Sequence, residues 1–542
     1  MKRTLAFLMA FVMMLGLLSG CGNTADQPQT EDTTTTVEAV TTTTTVAPTT
    51  QGDVTTTQDE NTTTAGATNT TANLTTAPSQ DLATTTTVTT TTTTATTKAM
   101  VKAKLNGVSL SAYTIVLSEE ALDYADRAAT YIRDEIRTRT GAEVTIVYDD
   151  KPATAHEIVV GETNRSISKS LNVKTEGMQF AMMAKGGHVA MEGDYFVIAA
   201  AAYYFVTNYI KGETGNTSVP TTAKALNPIQ EKANNYILLI GDGMGVNHTK
   251  LPEVYDTNRF ELEEVEANNF TDGENFFYGY LFPHQGYART YEINGNVTDS
   301  AAAATALATG YKTTNGRIGR DKDKNDLKSI TEIAGDLGMS TAVMSTEGRK
   351  GATPAGFSAH ADMRDMYDDI VASQDATTAK YGTIIDCNYT YYNGLGIRNY
   401  LEKAITKNLT ELNKNEKGFF MMYEEAYIDK HSHNMDVTEA AQAVLRFNQA
   451  IAVFMEYAFY HPDTFLLITA DHETGGLTWM GHKFAYNSGG HTSRDVPVYA
   501  YGVGGEVFHD LSVENVQIPK TIVSWWGESL AADTDEQYPV LK

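Results

Sequence analysis

The sequence predicts an α/β protein. Residues 234–542 should form a three-layer α/β/α sandwich on a mostly parallel sheet, preceded by a small α+β domain over 102–228 and a disordered Thr-rich linker over 22–100. Three observations point there. Short apolar runs such as NYILLIG, GFFMMY and TFLLIT are separated by helical stretches, the pattern of a buried and mostly parallel sheet. Residues 102–228 read as strands interleaved with two helices, the pattern of a small α+β unit. Residues 22–100 are dominated by Thr and have few large side chains to bury, so burial cannot offset the entropy of ordering them.

The elements follow in chain order. Lys2-Arg3 precede an apolar segment from Leu5 to Leu18 and then Leu18-Ser19-Gly20-Cys21, which reads as an export signal over residues 1–21. The L-S-G-C string resembles a bacterial lipobox. It implies cleavage before Cys21, a lipid on that thiol, and anchoring to the outer face of the bacterial cell membrane; the alternative is an ordinary signal peptide whose cleavage site contains a Cys. The linker then serves as a stalk or passive spacer. In the α+β segment, YTIVL (113–117), EVTIVY (143–148) and HEIVVG (156–161) read as strands and Glu119 to Arg137 as an amphipathic helix. MQFAMMA and HVAMEG flank Gly186-Gly187 as a hairpin, and Ile198 to Ile210 reads as a buried helix. No catalytic constellation lies in this segment, and spacing or docking is its simplest role.

Composition narrows the function. With 67 acidic against 41 basic residues among 542, the net charge is -26, which argues against a nucleic-acid surface. Cys21 and Cys387 are the only cysteines, so no internal disulfide framework forms once Cys21 is lipidated.

The most informative string is TDSAAAATALATG (298–310), where Asp299-Ser300 precede an alanine-rich helix closed by Gly310. A helix N-terminus favours a bound anion and helps ionise a serine. A serine there is ordinarily an N-cap. Three distant clusters give it a chemical reading. NYILLIGDGMG (235–245) ends a strand at Asp242. GFFMMYEEAYIDKHSH (418–433) delivers Glu424, Asp429 and His433. TFLLITADHETGG (464–476) carries Asp471-His472, and GGHTSRDVPVYAYG follows with His491. Carboxylates and imidazoles at the carboxyl ends of several strands mark a ligand site in an α/β sheet. Oxygen and nitrogen donors without Cys suit catalytic zinc, or harder ions such as magnesium. Val437, Ala441, Val444, Ile451 and Met455 recur at helical spacing and read as core.

These segments, with ATPAGFSAH, the E-x4-D-K-x2-H pattern, TADH and GGHT-x2-DVPV, resemble the alkaline phosphatase family in the same order along residues 234–542. The resemblance implies a phosphate-monoester hydrolase with two zinc ions and one magnesium ion. One zinc would take Asp429, His433 and His491. The other would take Asp242, Asp471 and His472, together with Ser300, the nucleophile that becomes phosphoserine before water releases phosphate. Asp242, Thr353 and Glu424 match the magnesium ligands, Arg364 the phosphate-binding arginine, and Lys430 a lysine that in some members contacts phosphate through water. A homodimer is a further expectation, and a glycan contact by residues 102–228 stays open.

One position departs from the family. Two residues before the magnesium-site threonine, where members usually carry Asp or His, this chain has Gly351. That predicts a weak third site, with Lys430 freer to approach phosphate, unless Glu347 or another acidic loop residue swings in. Two rival functions remain: a phosphodiesterase or sulfatase of the same superfamily, or a surface-anchored binding protein. A sulfatase needs a C-x-P-x-R context, which Ser300-Ala301-Ala302 does not supply, and the phosphodiesterase branch generally lacks an equivalent of Arg364. A degenerate binding protein would be expected to have lost ligands. His360 reads as a core histidine, His248, His284, His431 and His482 have no matched role, and the tyrosine-rich stretch 388–400 reads as a loop or a substrate mouth.

Overall fold

The computed structural model describes residues 102–542 apart from 122, 257–260, 263–275, 390–396 and 531–537. Cys21, the signal segment and the Thr-rich linker lie outside the described residues. Eight strands make the larger sheet, in the order Ile384–Cys387, Ser340–Ser345, Phe419–Glu425, Asn235–Gly241, Thr464–Thr469, Val496–Tyr501, His284–Arg289, Ser512–Glu514. All neighbours are parallel except at Val496–Tyr501, which runs antiparallel to both strands beside it. The mostly parallel sheet expected from the apolar runs is therefore the one that forms. Its three central strands are buried at every residue, because helices cover both faces.

Strand parity shows the two faces. Phe420 meets Phe357 of the helix Ala352–Ser358, with ring centroids 6.5 Å apart. Phe419 and Tyr423 point the other way, to Tyr457 and to Phe447 and Phe454 of the helix Val437–Tyr460. The helices Ser300–Thr309, Ile330–Asp336 and Gln517–Trp525 group with Ala352–Ser358, and Ile397–Leu412 packs with Val437–Tyr460. This is the three-layer arrangement the sequence predicts.

Residues 102–228 build a six-stranded mixed sheet in the order Thr145–Tyr148, Thr114–Leu117, Glu157–Val160, His188–Glu192, Phe180–Lys185, Lys224–Leu226. The expected hairpin turns at Gly186-Gly187, both with positive φ. Helices Asp123–Thr140 and Val197–Tyr209 cover one face. Ile115 and Leu117 point into that covered side, while Val116 joins Val159, Ala181, Met183 and Ala190 in a small cluster on the other.

The same two helices pack on Val437–Tyr460. Phe196 stacks on Phe459 with centroids 6.0 Å apart, and Tyr131 lies 4.5 Å from Tyr460. Arg127 grips the Glu456 carboxylate through Nε and Nη2 at 2.7–3.0 Å and reaches Glu402 at 3.3 Å. Each fully buried aromatic there contributes roughly 1.5–3 kcal/mol. The stripe foreseen on Val437–Tyr460 is buried except for its partly buried first residue, Val437. Ala440, Phe447, Phe454, Ala458 and Phe459 are buried as well, so the long helix lies between two apolar surroundings.

Candidate active site

The helix Ser300–Thr309 begins as the sequence suggests and ends at Gly310 in the left-handed conformation. Its cap is Asp299, whose Oδ1 accepts from the Ala302 N–H at 2.9 Å. Ser300 is therefore the first helical residue and its hydroxyl is not used for capping. Buried at 4% exposure, that hydroxyl lies 3.2 Å from His472 Nε2.

The acidic and imidazole groups arrive from the ends of the three central strands. Asp242 follows Asn235–Gly241, Glu424 is the last residue but one of Phe419–Glu425, and Asp471-His472 come just after Thr464–Thr469. Asp429 and His433 stand on the short helix Tyr427–His433, and His491 starts a two-residue strand paired with Glu473–Thr474. Parallel strands side by side bring all these ends to one edge of the sheet. The turn after Asp242 needs Gly243, at φ 74°, because a Cβ there would lie 2.8 Å from the Asp429 Cα.

Asp429, His433 and His491 bring ligand atoms within 4.8 Å of one another. His433 Nε2 is 3.3 Å and His491 Nε2 3.5 Å from the Asp429 carboxylate, and the two nitrogens are 3.1 Å apart. Each Nδ1 faces a backbone carbonyl, His433 that of Gly489 at 2.7 Å and His491 that of Thr298 at 2.9 Å. With Nδ1–H donating there, both Nε2 lone pairs are left for a shared cation.

Asp242, Asp429 and His472 form a second such group. His472 Nε2 lies 3.1 Å from Asp471 Oδ2 and 3.7 Å from Asp242 Oδ1. The resemblance paired Asp471 with Asp242 and His472; the structure brings it to His472 and also sets Asp429 between the two groups. Beside them, Glu424 takes a short hydrogen bond from the Ser345 hydroxyl, and Thr353 stands close enough to favour its charged form.

Asp242 Oδ1, Asp471 Oδ2, Glu424 Oε1 and Thr353 Oγ1 are buried and find no hydrogen-bond partner among the described residues. Burial and the neighbouring carboxylates push Asp242 well above the usual carboxylate range. Burial, then Asp429, raises Asp471 to about 6. Burial also acts to raise Asp429, yet hydrogen bonds from His433 and His491 hold it well below its ordinary value. The bond to Asp429 lifts His433 to about 9, while burial and His491 depress His472. Buried oxygens that repel one another and lack donors are costly unless a cation joins them, so the donor set fits divalent metals.

Arg364 reaches the same place. Its Nη1 is 3.2 Å from Asp299 Oδ2, and its backbone N–H donates to the Gly316 carbonyl at 2.7 Å, setting a partly exposed guanidinium beside the helix Ser300–Thr309. Lys430 does not stand free as Gly351 had suggested: its Nζ is 2.8 Å from Glu347 Oε2.

Other positions were not singled out from sequence. The Thr474 hydroxyl bonds Asp429 and lies 3.3 Å from His472 Nδ1. Glu473 accepts from the backbones of Gly476 and Leu477 and from the Thr492 hydroxyl, fixing the strand that carries His491. Their position directly after TADH was the available signal. His248 is buried on Gly245 N–H and Ser432, behind the Asp429 helix, and His360 lies on the Gly319 carbonyl and Glu332, so both are structural. Cys387 is half-buried, with its thiol pushed up by burial. Most of the tyrosine-rich stretch lies outside the described residues.

A buried serine at a helix N-terminus, facing metal-type ligands at the ends of parallel strands, forms a candidate active site on an α/β fold. The alkaline phosphatase family profile matches residues 233–390 and 398–488. Alkaline phosphatase 4 of Bacillus subtilis is 30% identical over 309 residues, 47% of this chain and 65% of the relative. Alkaline phosphatase 3 of the same organism is 26% identical over 422 residues, 54% of this chain and 89% of the relative. The match with the first thus spans a little under two thirds of that relative. The solved alkaline phosphatase of the Antarctic bacterium TAB5 is 25% identical, with TM-score 0.46, covering 55% of this chain and 98% of that one. Over residues 233–390 and 398–488 the chain is thus similar to the alkaline phosphatase family.

Proposed function

We propose that this chain hydrolyses phosphate monoesters through a phosphoserine at Ser300. The observation that carries the reading is the Ser300 hydroxyl, left unused by Asp299 and set 3.2 Å from His472 in a cluster of partnerless buried oxygens. Asp429, His433 and His491 would hold one zinc, Asp242, Asp471 and His472 the other, and Asp242, Thr353 and Glu424 a magnesium ion. Bound there, such ions offset phosphate charge and lower the pKa of attacking oxygens.

The protein's own groups account for the rest. The helix N-terminus favours an anion beside Ser300. Arg364 can hold two non-bridging phosphate oxygens, which favours monoesters over diesters. Ser300 Oγ bonds to phosphorus as the bond to the leaving alcohol breaks, and water then releases phosphate.

The test is to compare monoester and diester turnover by the soluble chain, and to trap the protein in acid with substrate and map the phosphate. Ser300→Ala should abolish the phosphorylated peptide and lower turnover by several orders of magnitude with metal content unchanged. Phosphate on another residue would overturn the mechanism, and faster diester turnover would overturn the substrate class. The reading extends to an exported enzyme lipid-anchored through Cys21 at the membrane's outer face, with residues 22–100 as its stalk. Cys21→Ser should then release the activity from the membrane fraction; activity that stayed bound would refute the anchor.

A further inference from the structure

Gly351 precedes the helix Ala352–Ser358, two residues before Thr353, and the space over it is filled. A Cβ on residue 351 would overlap the Glu347 carboxylate, so Glu347 occupies the volume that a side chain at 351 would need. Its Oε2 bonds Lys430 Nζ at 2.8 Å, with the Glu347 side chain largely buried and that of Lys430 partly exposed.

The surroundings show what this carboxylate faces. Glu424 Oε1, Thr353 Oγ1 and Asp242 Oδ1 are buried with no hydrogen-bond partner among the described residues. Burial first, then the Glu347 charge, raises Glu424, whereas Lys430 lowers both Glu424 and Asp242. Asp242, Glu424 and Glu347 all act on the Lys430 ammonium, so this pocket holds more carboxyl groups than cations to pair with them. Glu347 is also held from its backbone. Its N–H donates to Ser345 Oγ at 3.0 Å, the same hydroxyl that donates to Glu424, and its carbonyl accepts from Asn388 N–H at 2.6 Å. One short network therefore fixes Glu347 relative to Glu424.

We propose that Glu347 is a positioning residue for a magnesium ion held by Asp242, Thr353 and Glu424. It fills the place left by Gly351, restrains Lys430, and faces the waters that magnesium retains. Gly351 is then required for its lack of a side chain, and Lys430 serves the cation site through Glu347. This rests on the metal assignments of the proposed function but not on the reaction.

Calorimetric titration of magnesium chloride into the zinc-loaded protein tests it, with zinc content measured alongside. Glu347→Gln keeps the shape and removes the charge, and should weaken magnesium binding about 10–100-fold while zinc content stays constant. Gly351→Asp alone should weaken it too, because two side chains would compete for one volume. Gly351→Asp combined with Glu347→Ala should regain affinity, since the carboxylate then comes from residue 351. Affinity in Glu347→Gln within about twofold of the parent, or no recovery in the double variant, would overturn the proposal. Binding is read without turnover. A protein that bound magnesium in this way yet left monoesters intact would refute the activity and support the role of Glu347.

Discussion

Asp299 joins two parts of the site with one carboxylate. Oδ1 caps the helix Ser300–Thr309 at Ala302 N–H, and Oδ2 holds Arg364 Nη1 at 3.2 Å. Both oxygens also accept from Gly316 N–H at 3.0 Å, so the cap, the arginine and the loop are fixed together. Two substitutions separate the duties. Asp299→Ala removes both and should lower stability by about 1 kcal/mol through the lost cap, measured by denaturant unfolding. Asp299→Asn can still cap the helix but no longer neutralises Arg364. It should unfold like the parent while inorganic phosphate inhibits it more weakly; unchanged phosphate inhibition would show that Arg364 needs no tether.

Proton competition should govern metal loading. Without metal, the Asp429 hydrogen bond holds His433 protonated up to about pH 9. That raised value lends the metal-free fold stability that is complete below the ordinary imidazole value of about 6.5 and is lost as pH rises through about 9. Zinc needs the neutral ring, so it must expel the proton. Apparent zinc affinity should rise about tenfold per pH unit between roughly pH 6 and 8 for this proton alone. Titrations in two buffers of different ionisation heat would report the release. PH-independent affinity would mean that His433 is not a ligand.

Close helix packing sets the distance between Ser300 and Thr353. A Cβ on Gly356 would come within 2.7 Å of the Ala304 Cβ and 3.1 Å of the Ala304 carbonyl carbon. Gly356→Ala should therefore part the helices Ser300–Thr309 and Ala352–Ser358, lowering stability by about 1–3 kcal/mol. Turnover should fall further than stability explains. Thermal unfolding together with turnover at a temperature where both proteins are folded would check this, and parent-like turnover would show that the spacing is tolerant.

Much of the site was legible because its ligands follow apolar runs. Asp242, Glu424 and Asp471 each end a strand whose residues are all buried, so composition located both the strand and the group it presents. The parts that escaped depend on backbone and distance. Gly489 and Thr298 orient His433 and His491 through carbonyls that any residue could supply. Glu347 became visible only once its loop was folded over Gly351, although its sequence proximity made it a candidate. The long helix Val437–Tyr460 showed one apolar stripe, and that reading was incomplete. Phe454, Ala458 and Phe459 fill its other flank, and a helix lacking a polar face signals burial on more than one side.

That second flank affects how the gene can be cut. The family match starts at residue 233, yet Phe196, Tyr131 and Arg127 shelter the long helix from before that boundary. A fragment trimmed to the recognised region would expose Phe459 and Tyr460 to water and strand the Glu456 carboxylate. Such a fragment would be sticky and would clump on expression, however complete its candidate site. For recombination as for cloning, the segment to keep intact reaches upstream of the matched region, to the strand at Lys102.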